Sequence, residues 1–248
     1  MILGTALFRD GLAERRVLVA RLSDGRLADL NRIEFLRLEK LGEGHPELLA
    51  EALVPPSLRR LLEGGPRALQ RARQTLAYAE KWRQRGDLPE LIAPTLASVS
   101  QLPCLPRPAL LRRADGTHRD RLAVKGPGVK ISSQPQIMLA VLGGYGEAQG
   151  YCLAAEDGDT TLLGGWMSLE IPKGNLELRA GNLRRSVALE AWEHLELPPL
   201  RPGEVMLLPP PRLKPLPALE PGAHLRLTWP IEEMELILGE KLPHPTLQ

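Results

Sequence analysis

The sequence is short of the residues that mark several functional classes. Only two cysteines, Cys104 and Cys152, occur in 248 residues. Two cysteines make no disulfide framework and no zinc pattern, and they point to a reducing, cytoplasmic setting. Aromatic residues are 4% of the chain, too few for base stacking, and 32 basic against 30 acidic residues give no electrostatic footprint for nucleic acid. The longest apolar run, around 137–142, is far shorter than the ~20 residues of a membrane helix, so no membrane partner is expected. The opening MILGTALFRDG has no basic region followed by an apolar stretch, so no signal peptide is expected. Also missing are a G-x-S-x-G elbow, a phosphate-binding Gly-Lys-Ser/Thr loop, H-E-x-x-H, and a G-x-G-x-x-G between strand and helix.

Charge is missing in one place in particular. The chain is 25% charged, yet 131–146, ISSQPQIMLAVLGGYG, has no Asp, Glu, Lys, Arg or His. Acids then arrive together as Glu156, Asp157 and Asp159. Elsewhere arginine is abundant and lysine scarce, and proline is frequent at 24 residues, as suits a thermophile or a GC-rich genome. The arginine pairs Arg59–Arg60, Arg112–Arg113 and Arg184–Arg185 are interspersed with acids and leucine and read as solvated helix faces.

Turn chemistry sets the expected organisation. Strands are expected at 2–8, 16–22 and 27–30, separated by Arg9-Asp10-Gly11 and Ser23-Asp24-Gly25-Arg26. A short helix from Ser57 to Leu62 stops at Gly64-Gly65. A second helix, opened by Pro66, carries Leu69, Ala72, Leu76, Ala79 and Trp82 at helical spacing to about Gly86. Prolines at 89, 94, 103, 106 and 108 mark a linker or surface crossing. Beyond Leu110 the chain is mostly β, with strands at 136–142 and 149–155 around Gly143-Gly144-Tyr145-Gly146. An amphipathic helix is expected over 182–196, capped by Asn182, with Leu183, Val187, Trp192 and Leu195 facing inward. Two turn-then-strand units follow, at Leu200-Arg201-Pro202-Gly203 and Leu219-Glu220-Pro221-Gly222, where Pro-Gly favours a type II turn.

In this order and spacing, the motifs resemble the fumarylacetoacetate hydrolase family across nearly the whole chain. The residues concerned are GTALFRDG, DGRLADL and PPSLRRLLEGGPRALQRAR, then LPCLPRPALL, VKGPG, LAVLGGYGEAQGYCLAAED, LRPGEVMLLP and LEPGAHLRLTW. The resemblance implies an α+β fold, with a small N-terminal β/α cap over 1–86, a Pro-rich crossing over 87–109, and a mixed β-roll domain over 110–248. It also implies a homodimer. Chemically it implies a hard divalent ion, Mg2+ or Mn2+, held by a carboxylate-x-carboxylate pair on one strand and a third carboxylate on its partner. Such an ion chelates a small 2-oxo acid or 1,3-dicarbonyl substrate and stabilises an enolate during hydrolysis, decarboxylation, hydration or isomerisation. A His-Glu pair on a mobile segment serves as acid and base.

Transferred residue by residue, the resemblance puts Gln136 and Met138 where the carboxylate pair would be. The third ligand falls at Glu156, or at Asp157 if the register shifts by one. His118 in ADGTHRDRL matches the family histidine, but Arg121 stands where the glutamate would be, with Asp120 beside it. Lys125 in VKGPG would bind a substrate carboxylate. A hydroxyl-bearing glycine-rich turn is replaced by Pro209-Pro210-Pro211, which cannot donate backbone hydrogen bonds. Read from the residues alone, Gln136 and Met138 also fit a half-buried strand with Met in the core, and Glu156, Asp157 and Asp159 an acidic turn. On the same terms His118 fits a surface histidine and Lys125 a turn lysine. Two functions follow. One is a metal-assisted hydrolase, lyase or isomerase using Glu156 or Asp157 with Gln136 for the ion, His118 as acid/base and Lys125 for the substrate. The other is a relative without the metal, acting as a binding or partner subunit, for instance in a hetero-oligomer with an active relative.

Overall fold

The computed structural model describes residues 1–10, 13–117, 123–126, 130–131, 134–157, 160–192, 196–210 and 216–239. The chain opens with β1 (Ile2–Asp10), β2 (Ala13–Arg21) and β3 (Leu27–Asp29). Four helices follow, α1 (Leu30–Lys40), α2 (Pro46–Leu53), α3 (Leu58–Glu63) and α4 (Gly65–Gln84). A crossing with one 3-10 turn leads to the short β4 (Ser100–Gln101), then β5 (Leu110–Arg113), β6 (Ala123–Lys125) and β7 (Lys130–Ile131). The central hairpin is β8 (Gln136–Gly144) and β9 (Glu147–Asp157), followed by β10 (Thr160–Leu163) and β11 (Trp166–Ser168). The remaining strands are β12 (Asn175–Ala180), β13 (Leu183–Ala188), β14 (Glu204–Leu208), β15 (His224–Trp229) and β16 (Glu232–Leu238).

These elements stack in three layers: helices, a large sheet and a smaller sheet. The large sheet runs β3-β2-β1-β11-β9-β8-β14-β5, with β10 beside β9 and β6 beside β10. The small sheet runs β13-β12-β15-β16-β7. Side chains alternate across a strand, so β8 serves two cores at once. Met138, Ala140 and Leu142 pack toward the helices, against Leu61, Leu62 and Ala72 among others. Ile137, Leu139 and Val141 pack toward the small sheet, against Leu225, Leu227, Trp229 and Leu236. This explains the uncharged run: a strand covered on both faces has no solvated side on which to carry a charge. Both expected prolyl-glycyl turns are present, with Gly203 at φ 75° and Gly222 at φ 82° leading into β14 and β15.

The N-terminal part shares both sheet and core with the rest. Leu3 lies opposite Met167 in the β1–β11 pairing, and one apolar cluster runs from Leu3 through the helices to Leu207. Inside the helical layer the buried Glu34 is held by Arg71, by the Thr75 hydroxyl at 2.7 Å and by Arg37 at 3.3 Å. Buried carboxylates need such partners to offset their lost hydration.

Two expectations are corrected. The helix expected over 182–196 is instead strand β13 followed by a 3-10 turn over Leu189–Trp192, with 193–195 outside the described residues. Asn182 does not cap a helix. With Gly181 at φ 55° it closes the β12–β13 hairpin, in which Ala180 pairs with Leu183. Glycine at the first central position is what a two-residue hairpin turn of type II′ uses. Residues 31–53, for which no helix was expected, form α1 and α2. The signal was Asp29, read as strand, whose carboxylate accepts from the Arg32 amide at 3.1 Å and caps α1.

Candidate functional site

The tight turn at Tyr145-Gly146, both at positive φ (33° and 91°), opens the β8–β9 hairpin, and an irregularity between Leu142 and Gly143 shifts its register by one residue. At its far end Gln136 stands opposite Glu156 and Met138 opposite Ala154. On the other side of β9, Thr161 of β10 stands opposite Glu156. Residues directly opposite share a face. Gln136, Met138 and Glu156 therefore all belong to the helix-side face of the large sheet, the face of Met138, Ala140 and Ala154. Met138 and Glu156 are buried and Gln136 is exposed.

A fourth side chain on this face is Arg113. In the sheet it lies opposite Leu207 of β14, which lies opposite Ala140 of β8. From there its guanidinium reaches the Glu156 carboxylate, with Nε at 2.8 Å and Nη2 at 2.7 Å from Oε2. That carboxylate pushes the Arg113 pKa further up and keeps the guanidinium charged. The next arginine back, Arg112, also forms an ion pair with a buried acid, its Nε 2.5 Å from Glu204 Oε1. Arg112 and Arg113 thus sit on a strand and neutralise buried carboxylates, which corrects the reading of that pair as a solvated helix face. The signal was there in LLRRADGT, where a short apolar pair runs into an Asp-Gly turn.

Arg113, Ala114, Asp115, Gln136, Met138 and Pro209 enclose a cleft of about 440 Å³. Asp115 closes the β5 turn by accepting from the Thr117 amide at 2.9 Å and the Thr117 hydroxyl at 2.7 Å, bonds that lower its carboxyl pKa. It is ionised at neutral pH. Pro209 has no N–H to offer a ligand.

The other expected site residues are distributed differently. Asp157 follows Glu156 on β9 and is buried, opposite Thr160, so it faces the small sheet. Lys125 lies on β6 opposite Leu162, a residue of the small-sheet core, and is exposed. Lys125 and Asp157 are therefore on the opposite face of the sheet from Glu156, Gln136 and Met138. His118, Asp120, Arg121 and Asp159 lie outside the described residues.

The donors at this position can be tested against a hard divalent ion. Such ions take oxygen ligands, preferably several carboxylates. The face presents one amide oxygen, one thioether and one carboxylate already engaged by a guanidinium, and the cleft adds the Asp115 carboxylate, which Thr117 engages at Oδ1. Among the described residues, no group of three His, Cys, Asp or Glu side chains is placed to hold a metal ion. Among the described residues, the donors at this position do not make up a ligand set for Mg2+ or Mn2+.

No family model and no curated protein matches the sequence. Solved structures do match along its length. Maleylpyruvate hydrolase from Sphingobium sp. SYK-6, in complex with manganese (II) ion and pyruvate, is similar at 14% identity and a TM-score of 0.59, over 97% of this chain and 100% of that one. 5-Carboxymethyl-2-hydroxymuconate delta-isomerase from Mycobacterium smegmatis matches at 14% identity and a TM-score of 0.53, over 97% and 100%. 2-Hydroxyhepta-2,4-diene-1,7-dioate isomerase from Mycobacterium marinum matches at 15% identity and 0.52, over 97% and 99%. The chain has the α+β fold of the fumarylacetoacetate hydrolase family.

Proposed function

We propose that this chain uses the fumarylacetoacetate hydrolase fold without a hard metal ion, as a binding or partner subunit rather than a metal-assisted hydrolase, lyase or isomerase. One observation carries the reading: the Glu156 carboxylate is paired with Arg113, and its neighbours on the same face are Gln136 and Met138. A guanidinium supplies the positive charge that a divalent ion would otherwise bring to this carboxylate. The guanidinium is monovalent and planar. It has no vacant coordination positions for two substrate oxygens, so it cannot chelate a 2-oxo acid as a Lewis acid does.

Further support comes from the rest of the cleft. Pro209 offers no backbone donor, and Lys125 is on the other face of the sheet from Glu156. The chain's own residues there can bind and orient a small polar molecule through Arg113, Gln136 and Asp115. None of them is arranged as a nucleophile with its base.

A second reading, a metal-assisted enzyme acting on a small 2-oxo acid, is favoured by likeness to a manganese-containing hydrolase over 97% of the chain. Manganese titration of the purified protein separates the two. The metal-free reading expects no saturable binding at millimolar ion and no ion-dependent turnover of acylpyruvates. Stoichiometric binding abolished by Glu156→Gln would establish the other.

A further inference from the structure

A second cleft, remote from the Arg113–Glu156 pair in chemistry and in lining, lies where β1 and β2 meet the start of α3 and the proline-rich crossing. It holds about 320 Å³, at the lower end of the size range of small-molecule sites. Its floor is apolar: Pro56, Leu58, Leu105 and Pro106, with Leu58 and Leu105 almost fully buried. Its rim carries three guanidiniums, Arg16, Arg59 and Arg107, all exposed, and among the described residues no acidic side chain lines it. Arg59 is partly neutralised by Glu63 at 2.8 Å, one helical turn on. Among the described residues, Arg16 and Arg107 make no ion pair.

The walls are fixed before any ligand arrives. The Thr5 hydroxyl donates to the Cys104 carbonyl at 2.8 Å and ties the Leu105 wall to β1. The Leu18 amide donates to the Pro56 carbonyl at 3.0 Å and ties the opposite wall to β2. Arg16 stands on the same face of β2 as Leu18, just past the helical layer, which places it in the cleft lining. A preformed apolar slot costs little to order on binding, and uncompensated guanidiniums at its lip favour an anion, most of all a planar carboxylate held bidentately.

We infer that this cleft is a binding site for a small amphipathic anion, an aromatic monocarboxylate whose ring fills the Pro56–Leu58–Leu105–Pro106 slot and whose carboxylate meets Arg16 and Arg107. The site is independent of the metal question at Glu156 and would operate in either functional reading. A binding subunit with a closed metal position would have here a place at which to bind.

The test uses the full chain and 2-naphthoate as the probe, followed by calorimetry or by the probe's own fluorescence. Saturable 1:1 binding is expected. It should weaken about tenfold or more in Arg16→Gln/Arg107→Gln, and it should weaken as salt is raised. The neutral 2-naphthamide should bind at least about tenfold less tightly, and Arg113→Gln should leave naphthoate binding unchanged. Three results each overturn the inference: no saturable binding, equal binding of the amide, or undiminished binding in the double variant. Loss of binding in Arg113→Gln alone would move the anion to the other cleft and also overturn it.

Discussion

Arg113 meets Glu156 through Nε and Nη2 at 2.8 and 2.7 Å, and both contacts end on the same carboxylate oxygen, Oε2. Glu156 is nearly fully buried, with its side chain 2% exposed, whereas that of Arg113 is 32% exposed. The acid therefore bears most of the desolvation and depends on the arginine more than the arginine depends on it. Arg113→Met should cost about 1–3 kcal/mol, less than for a fully buried pair because Arg113 is partly solvated. Arg113→Lys should recover only part of this, since an ammonium cannot present two donors in a fixed fork. Urea unfolding of the three proteins checks the order.

If the guanidinium stands in for a metal ion, restoring the oxygen donors and removing the arginine should reopen the position. The variant Gln136→Glu/Met138→Glu/Arg113→Met should bind Mn2+ saturably, read by electron paramagnetic resonance of the free ion. Circular dichroism keeps the result interpretable, because Met138 is buried and a carboxylate there relies on the ion for compensation. A folded triple variant that binds no manganese would show that something other than the donor set excludes the ion.

The resemblance that led to this position was carried by strand-level features, and those were legible. The uncharged β8, the Gly-rich turn into β9 and the two prolyl-glycyl turns reflect local chemistry that tertiary context did not override. What stayed hidden was pairing at a distance. Arg113 and Glu156 are 43 residues apart and meet only because β14 stands between β5 and β8 in the sheet. Arg112–Arg113 read as surface charge because an arginine's partner cannot be seen in its own neighbourhood. The side on which Lys125 falls was equally hidden, since it depends on β6 running parallel to β10 with Lys125 opposite Leu162. The β12–β13 hairpin was misread as a helix because Leu183, Val187 and Trp192 satisfy a helical spacing, while a Gly-Asn turn decides otherwise.

Glu232 makes the stability of the chain depend on pH. It is half-buried at the start of β16 with Oε2 shielded from solvent, and its Oε1 accepts from the Gly165 amide at 2.5 Å. Desolvation pushes its pKa from 4.5 up to about 7, against the opposing pull of the Gly165 and Trp166 amides and of Arg21. The folded state thus holds the proton more tightly than the unfolded chain does. The resulting stability is fully present below about pH 4.5 and is lost as pH rises through about 7, by roughly 3 kcal/mol in all. Glu232→Gln should flatten this slope between about pH 4.5 and 7, as measured by unfolding midpoints across that range.

The same carboxylate rests against a glycine pair. A Cβ at Gly164 would fall on the Glu232 carboxylate and lie 3.2 Å from the Leu153 carbonyl. Gly164→Ala should therefore destabilise by about 1–3 kcal/mol through overpacking. Combined with Glu232→Ala, the cost should be less than the sum of the single changes, because the second removes the obstacle to the first. A double-mutant cycle by chemical denaturation reads the coupling.

In the proposed metal-free reading, Glu156 answers to an arginine and not to a metal ion. Isothermal titration of Mg2+ and Mn2+ into the purified chain tests it most directly. No saturable heat is expected up to millimolar ion, with manganese binding appearing only after Gln136 and Met138 become glutamates and Arg113 is removed. Stoichiometric binding to the unaltered chain, abolished by Glu156→Gln, would contradict it.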